Sequence, residues 1–202
     1  MFVSRHSKLL VIASLTAAFL SLNASVATAQ NLLSWFLEAP QTPSVPGTNA
    51  RVVEFPHSAA PGQIVVSNTD KRLYWVYARG RALAYPIAAP RPQDAWQGRM
   101  PITDKRIDPT WTPTPQMRQE NPSLPVSVPG GHPNNPMGPR ALYLGTSLYR
   151  IHGTDAPQTI GHPVSRGCIR MHNRDVIDLY ERVPVGTPVT VTFQSFIPKS
   201  YW

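Results

Sequence analysis

The residues best suited to covalent chemistry are Cys168 and His152. Cys168 is the only cysteine of the 202-residue chain, and it lies in the segment SRGCIRMHN, sixteen residues after His152 in YRIHGT. A thiol, with an ordinary pKa near about 8.5, is mostly protonated at neutral pH and becomes a nucleophile when a base or a cation favours the thiolate. A neighbouring histidine supplies such a base. The pair therefore predicts a cysteine nucleophile with His152 as its proton acceptor.

The residues just before Cys168 fit acyl transfer. Arg166 carries a permanent positive charge, and Gly167 has no Cβ, so a substrate can approach the backbone closely. The amides of Gly167 and Cys168 are candidate donors to a developing oxyanion. Thiol, imidazole and oxyanion donors together favour attack on an amide or ester carbonyl, with a thioester on Cys168 as the first product. An amine acceptor would then give transpeptidation and water would give hydrolysis.

Residues 1–29 have the pattern of a secretory signal peptide. A positively charged start and an apolar run over residues 9–22 precede Ala27-Thr28-Ala29, which offers small residues for cleavage. An uncleaved membrane anchor is the alternative. The run is shorter than the roughly 20 residues of a membrane span, which argues against that alternative. The pattern predicts a periplasmic protein. In an oxidising compartment an unpaired cysteine is either an intermolecular partner or a reactive thiol, which supports a reactive Cys168.

Composition and charge restrict the class of protein further. Without residues 1–29 the chain has 17 Lys+Arg against 11 Asp+Glu, a net charge of +6, and no basic patch interleaved with aromatic residues. We therefore expect no nucleic-acid binding, although a basic surface would suit an anionic polymer. The remaining 173 residues fit one domain and hold all 23 prolines. So many prolines argue against long helices and favour short strands joined by rigid loops.

The chain divides into a signal peptide (1–29), a leader or linker (30–54), a catalytic domain (55–196) and a C-terminal tail (197–202). Hydrophobic patterning predicts strands at residues 63–67, 72–77, 83–88, 141–144, 148–152 and 188–193. A helix is expected over residues 176–182, capped by Asn173 and stopped by Pro184. Residues 90–139 hold twelve prolines, and we interpret them as an ordered lid or substrate-lining segment.

Residues 62–192 resemble the L,D-transpeptidase catalytic domain of the YkuD type, also called the ErfK/YbiS/YcfS/YnhG family of bacterial cell-wall enzymes. The family pattern is a His-Gly pair, a spacer, and Ser/Thr-His-Gly-Cys followed by an aliphatic residue and Arg or Asn. Here it reads His152-Gly153 and Ser165-Arg166-Gly167-Cys168-Ile169-Arg170. The stretches IVVSNTDKRLYWV, PGGHPNNPMG and VPVGTPVTV also match. The sequence departs from the pattern at Arg166, where many members have histidine.

The resemblance implies a mainly β fold: a β-sandwich of mostly antiparallel strands with one short helix after the Cys168 loop and a long proline-rich capping segment. It implies attack on the third-residue carbonyl of a peptidoglycan tetrapeptide stem, where that residue is a diamino acid, with release of the terminal D-alanine. The acyl acceptor would be the side-chain amine of another stem or an amine of an outer-membrane protein or lipoprotein. No metal or organic cofactor is implied, and we expect a monomer.

The motif also assigns substrate or loop support to Gly153, Ser165, Arg166 and Arg170. Ser165 either supports the Cys168 loop through its hydroxyl group or only turns the chain. Arg170 either binds a substrate carboxylate or pins the loop to the domain.

Of three alternatives for the site as a whole, the sequence argues against two. Zinc binding by further histidines is not predicted, because His132, His162 and His172 match no known zinc spacing. A hydrolase using the same nucleophile is compatible with the sequence. The intact pair of Cys168 and His152 argues against a cell-wall binding module without catalysis.

Overall fold

The computed structural model describes residues 47–197. The predicted signal peptide, most of the predicted leader and the last five residues of the tail lie outside the described residues. No helix within residues 47–197 is long and apolar enough to cross a membrane.

The described chain is built mainly from short strands. They are β1 (Arg51–Glu54), β2 (Ile64–Ser67), β3 (Arg72–Ala78), β4 (Arg81–Pro90), β5 (Gly98–Ile107), β6 (Arg140–Leu144), β7 (Arg150–His152), β8 (Pro163–Ser165), β9 (Ile169–Met171) and β10 (Pro188–Thr192). The helices are α1 (Pro115–Glu120) and α2 (Asn173–Arg182), with 3-10 turns at Pro92–Asp94 and Pro157–Thr159. A mainly β fold with one short helix after the Cys168 loop is confirmed.

Eight of these strands close into a barrel, so the expected β-sandwich is wrong. The ring runs β4-β3-β2-β10-β5-β6-β7-β9 and returns to β4. Closure depends on the length of β4: Arg81–Pro86 pair with β3, while Ile87 and Ala88 pair with β9. Because β4 pairs with β3 along its first part and with β9 along its second part, the ring of strands closes without an open edge. Pairing around the ring is mostly antiparallel, with β2–β10 and β7–β9 as parallel pairs.

The barrel interior holds the main core, and α2 covers one side of it. Leu73, Leu83, Leu142 and Leu144 are fully buried there, as in a closed barrel whose inward positions are filled by aliphatic side chains. The helix contributes Val176 and Leu179 to the same cluster and packs against β6 and β7. The strand that carries His152 is therefore supported from outside the barrel as well as from within.

Two elements lie in segments that the sequence analysis assigned differently. The proline-rich segment 90–139 contains all of β5, which pairs with both β10 and β6 and so forms part of the barrel wall. Only α1 and the loops around it are left to act as a cap. β1 falls within the predicted leader, yet it pairs antiparallel with β4. Just before it, the amide of Asn49 donates a hydrogen bond to Asp175 of α2 (2.8 Å).

Asn173 does not cap α2 as expected. It is the first residue of the helix, and His172 stands at the cap position without a side-chain hydrogen bond. The Asn173 side chain instead accepts a hydrogen bond from the amide of Thr154 (2.8 Å). Its oxygen thus fixes the backbone just after His152 and Gly153.

A matched pair of valine substitutions tests the barrel core. Val189→Ala, in β10, removes two methyl groups from a fully buried site and should lower the free energy of unfolding by roughly 1.5–3 kcal/mol. Val185→Ala makes the same chemical change at a residue that is 57% exposed, and should change it by less than about 0.5 kcal/mol. Urea denaturation measures both, and equal losses would contradict the buried position of β10.

Candidate active site

Two short parallel strands bring the predicted catalytic residues together. Strand β7 pairs with β9 so that Ile151 lies opposite Ile169 and His152 lies opposite Arg170. Side chains two positions apart share one face of a strand, so Cys168, just before β9, projects on the same face as Arg170. By the same rule Arg150 shares the face of His152.

Cys168, His152, Arg150 and Arg170 all line one cleft of about 1250 Å³. The proline-rich segment supplies part of the opposite wall through Trp111 and the first residues of α1. The prediction that this segment lines the substrate site is consistent with that arrangement.

Aromatic stacking holds the loop that carries the thiol. The Trp96 indole N–H donates to the carbonyl oxygen of Gly167 (2.9 Å), and the Trp96 ring stacks on Tyr149 with 4.6 Å between centroids. Gly167 has φ of +106°, and a side chain there would overlap the Tyr149 ring. Only glycine satisfies both constraints. The oxyanion role of the Gly167 and Cys168 amides stays a prediction.

Ser165 and Gly153 support the backbone on either side of the cleft. The hydroxyl group of the buried Ser165 donates to the carbonyl oxygen of Cys168. This serine therefore supports the Cys168 loop and does not only turn the chain. Gly153 packs so closely against Asn173 and Pro139 that a Cβ would overlap the asparagine oxygen. Both contacts explain why these residue types stand beside the nucleophile and the base.

The surroundings of His152 favour its neutral imidazole form. The side chain is buried, and its Nδ1 atom has no hydrogen-bond partner among the described residues. Burial lowers the pKa of His152 to about 3, and the positive charge of Arg170 acts in the same direction. A neutral ring with a free nitrogen can accept a proton, as the predicted role requires.

Burial favours the protonated form of the Cys168 thiol. Burial raises its pKa, although the amide, the guanidinium and the charge of Arg150 oppose that effect, with a smaller contribution from Arg170. The Sγ atom contacts the carbonyl oxygen of Leu148 at 3.8 Å, and no hydrogen bond joins it to His152 within residues 47–197. Catalytic hydrogen bonds often tighten only when substrate binds, so we expect a Cys168–His152 hydrogen bond only in a substrate complex.

Arg150 is a member of the site that the sequence analysis missed. It lies two residues before His152 on the same strand and lines the same cleft, and its positive charge lowers the pKa of the Cys168 thiol. The strand periodicity of two was the available signal, since it places residue 150 on the face of the predicted base. Trp96 and Tyr149 carried no comparable signal, because their stacking depends on the folding of the proline-rich segment.

Arg166 and Arg170 differ in what they contact. Arg166 forms an ion pair with Glu120 at the end of α1, so its charge links the Cys168 loop to the capping segment. The Arg170 side chain forms no hydrogen bond or ion pair within the described part of the chain. It therefore does not pin the loop, and binding of a substrate carboxylate is the expectation that remains. No group of three metal-ligating side chains occurs within residues 47–197.

Comparison with known proteins supports the sequence resemblance. A model of the YkuD L,D-transpeptidase catalytic domain matches residues 61–191. The chain belongs to this family. It is 43% identical over 136 residues to the probable L,D-transpeptidase YbiS of Escherichia coli, covering 62% of this chain and 43% of YbiS. It is 52% identical over 97 residues to the probable L,D-transpeptidase ErfK/SrfK of Escherichia coli, covering 46% and 31%. The chain thus matches less than half the length of these two relatives.

Solved structures support the fold. A cysteine-to-serine variant of the Enterococcus faecium L,D-transpeptidase superposes with a TM-score of 0.52 at 21% identity, over 66% of this chain and 50% of that one. An L,D-transpeptidase from Mycobacterium smegmatis gives 0.51 at 19% identity, over 64% and 58%. The YkuD-type barrel is therefore shared with both structures.

The reactivity of Cys168 should rise steadily with pH. Because the thiol pKa is raised, the rate of alkylation by iodoacetamide should increase about tenfold per unit from about pH 6 to about pH 8. Intact-mass spectrometry measures the rate, with the urea-unfolded chain as the control that reacts faster at each pH. A plateau across this range would show a thiolate–imidazolium pair at rest, contrary to the structure.

Charge reversal tests the link between Arg166 and Glu120. Either Arg166→Glu or Glu120→Arg creates a repulsion and should speed hydrogen exchange of the α1 amides by roughly two- to tenfold, as expected for a partly exposed pair. The double variant restores an attraction and should return exchange towards the wild-type rate. Additive effects without restoration would show that the two charges do not interact.

Proposed function

We propose that this protein is a periplasmic cysteine L,D-transpeptidase that acts on peptidoglycan tetrapeptide stems. The observation that carries the proposal is the meeting of Cys168 and His152 in one cleft, on residues that match the family's motif. The names of YbiS and ErfK/SrfK support the same class of reaction. A periplasmic location follows from the predicted signal peptide, and a mature protein beginning at Gln30 in the periplasmic fraction would test it.

The first half-reaction transfers the stem to the enzyme. His152 takes the thiol proton, and the sulfur of Cys168 attacks the carbonyl carbon of the third residue. The amides of Gly167 and Cys168 would donate to the oxyanion. The bond between this carbon and the nitrogen of the terminal D-alanine then breaks, and the imidazolium of His152 returns its proton to that nitrogen. The products are free D-alanine and a thioester on Cys168.

The second half-reaction transfers the stem to an amine. His152 removes a proton from the acceptor amine, which attacks the thioester carbonyl, and the sulfur leaves as the thiol once the proton is returned. The cleft of about 1250 Å³ exceeds the roughly 300–1,000 Å³ that holds one small ligand, so it has room for donor and acceptor together. The names of the relatives, which are transpeptidases, lead us to favour an amine of another stem or of an envelope protein over water as the acceptor.

Substitution of the nucleophile tests the proposal. Purified wild-type protein incubated with tetrapeptide muropeptides should gain the mass of an acyl group, release D-alanine and form dimers. Cys168→Ala should show none of these changes, because no other cysteine can replace the nucleophile. His152→Gln should still fold but acylate about 10²- to 10⁴-fold more slowly, which is the usual contribution of a general base.

The products discriminate between the alternatives. Dimers, or stems joined to an added protein amine, support transfer, whereas shortened monomers alone would replace transfer by hydrolysis. The proposal is refuted if the wild-type protein forms no acyl adduct and binds peptidoglycan as tightly as Cys168→Ala does. That result would show a binding module without catalysis.

A further inference from the structure

Four arginines line the cleft, and two of them are already neutralised. The Arg106 guanidinium pairs with Asp104 (2.8 Å), and that of Arg166 pairs with Glu120. A bound substrate would have to compete with these carboxylates for either side chain. Neither is therefore the first candidate to recognise an anionic group.

Arg150 and Arg170 have no such partner. Within residues 47–197 neither forms an ion pair, and the one acidic residue that lines the cleft, Asp94, is bound by Arg91 (2.6 Å). The cleft thus contains two positive charges that no described carboxylate balances. Half-buried guanidinium groups without a counter-charge favour an anionic ligand.

The β7–β9 ladder places both charges beside the reacting pair. Arg170 lies directly opposite His152, and continuation of the register by one residue places Arg150 opposite Cys168. Neighbouring strands are about 4.8 Å apart, so the backbone of each arginine lies one strand spacing from that of a reacting residue, and both side chains line the same cleft as Cys168 and His152. The Arg150 side chain is held in place by the Leu148 carbonyl (2.8 Å) and by the Tyr143 ring, 5.0 Å from its guanidinium carbon.

We propose that Arg150 and Arg170 form a carboxylate-binding site that recognises the terminal carboxylate of the acyl donor, next to the bond that is broken. This inference rests on the proposed function. In a tetrapeptide stem the carboxylate of the leaving D-alanine is three bonds from the attacked carbon, so it must lie in the part of the cleft that Cys168, Arg150 and Arg170 line together. A side-chain carboxylate on the third residue is the other possible source, and it is separated from that carbon by more bonds.

The site would also select the length of the donor. A stem with one more residue carries a neutral amide where the tetrapeptide carries its carboxylate. Two guanidinium groups would then face an uncharged carbonyl, and the charge-assisted hydrogen bonds would be lost. The proposed site therefore gives a physical reason for preferring donors that end one residue after the attacked carbonyl.

Paired changes in enzyme and substrate test the site. The enzymes are the wild type, Arg150→Gln, Arg170→Gln and the control Arg79→Gln, which removes a charge from an exposed turn between β3 and β4. The donors are the tetrapeptide with a free terminal carboxylate, the same peptide with a terminal amide, and one in which only the side-chain carboxyl of the third residue is amidated. Release of the terminal residue gives kcat/KM for each pair, and thermal unfolding checks that each variant is folded.

The ratio of kcat/KM for acid and amide isolates recognition from reactivity. Loss of a nearby positive charge will lower kcat/KM for every donor, because it destabilises the Cys168 thiolate. Only loss of carboxylate recognition changes the ratio between the acid and the amide. The wild type and Arg79→Gln should prefer the free acid by about 10- to 100-fold. In Arg150→Gln and Arg170→Gln this preference should fall to about threefold or less. The kcat/KM for the free acid should drop both from the weaker thiolate and from lost recognition, whereas the kcat/KM for the amide should drop only from the weaker thiolate.

Each other outcome has a definite meaning. Acylation of the wild type without preference, or a preference that survives in both variants, overturns the inference and leaves the proposed function standing. Sensitivity to the side-chain amide instead of the terminal amide assigns the same two arginines to the third residue's carboxylate and overturns terminal recognition. Failure of the wild type to react with any of these donors overturns the proposed function and this inference with it.

Discussion

The parallel pairing of β7 with β9 is the constraint on which the site depends. Ile151 and Ile169 face each other in the core and are fully buried, so the register between these strands is fixed by packing. A register slip of one residue would place His152 on the opposite face of the sheet, because side chains alternate between the two faces along a strand. Strand β9 is held on its other side by β4, the strand that closes the barrel. The barrel thus brings the proposed base and the proposed nucleophile, which are sixteen residues apart in the chain, into one cleft.

Burial and positive charge together determine the resting state of this pair. At His152 both act in the same direction, and the imidazole stays neutral and able to accept a proton. At Cys168 they oppose each other, and burial prevails, so the sulfur keeps its proton. Once the proton moves to His152, the charges of Arg150 and Arg170 stabilise the thiolate that remains. The same site therefore favours a protonated thiol before substrate binds and contains the charges that would stabilise the thiolate.

Short-range sequence signals predicted which residues share the cleft better than they predicted the architecture. Cys168, His152, Gly153 and Gly167 could be recognised because their roles depend on residue type and local spacing. Closure of the barrel could not, since it depends on β4 reaching two different partners. β5 was hidden because its segment contains Pro101 and lacks a regular alternation of buried and exposed residues. The partners of Arg166 and Asn173 depend on contacts between segments distant in the chain, which no local pattern encodes.

Nitrogen NMR of the His152 side chain tests the central claim most directly, because the ¹⁵N shifts of the two ring atoms distinguish a neutral ring from an imidazolium. The account predicts a neutral ring in the free wild-type protein from about pH 8 down to about pH 4, unchanged in Cys168→Ser. An imidazolium at about pH 7 in the wild type that becomes neutral in Cys168→Ser would contradict it, since that result requires a thiolate–imidazolium pair before any substrate binds.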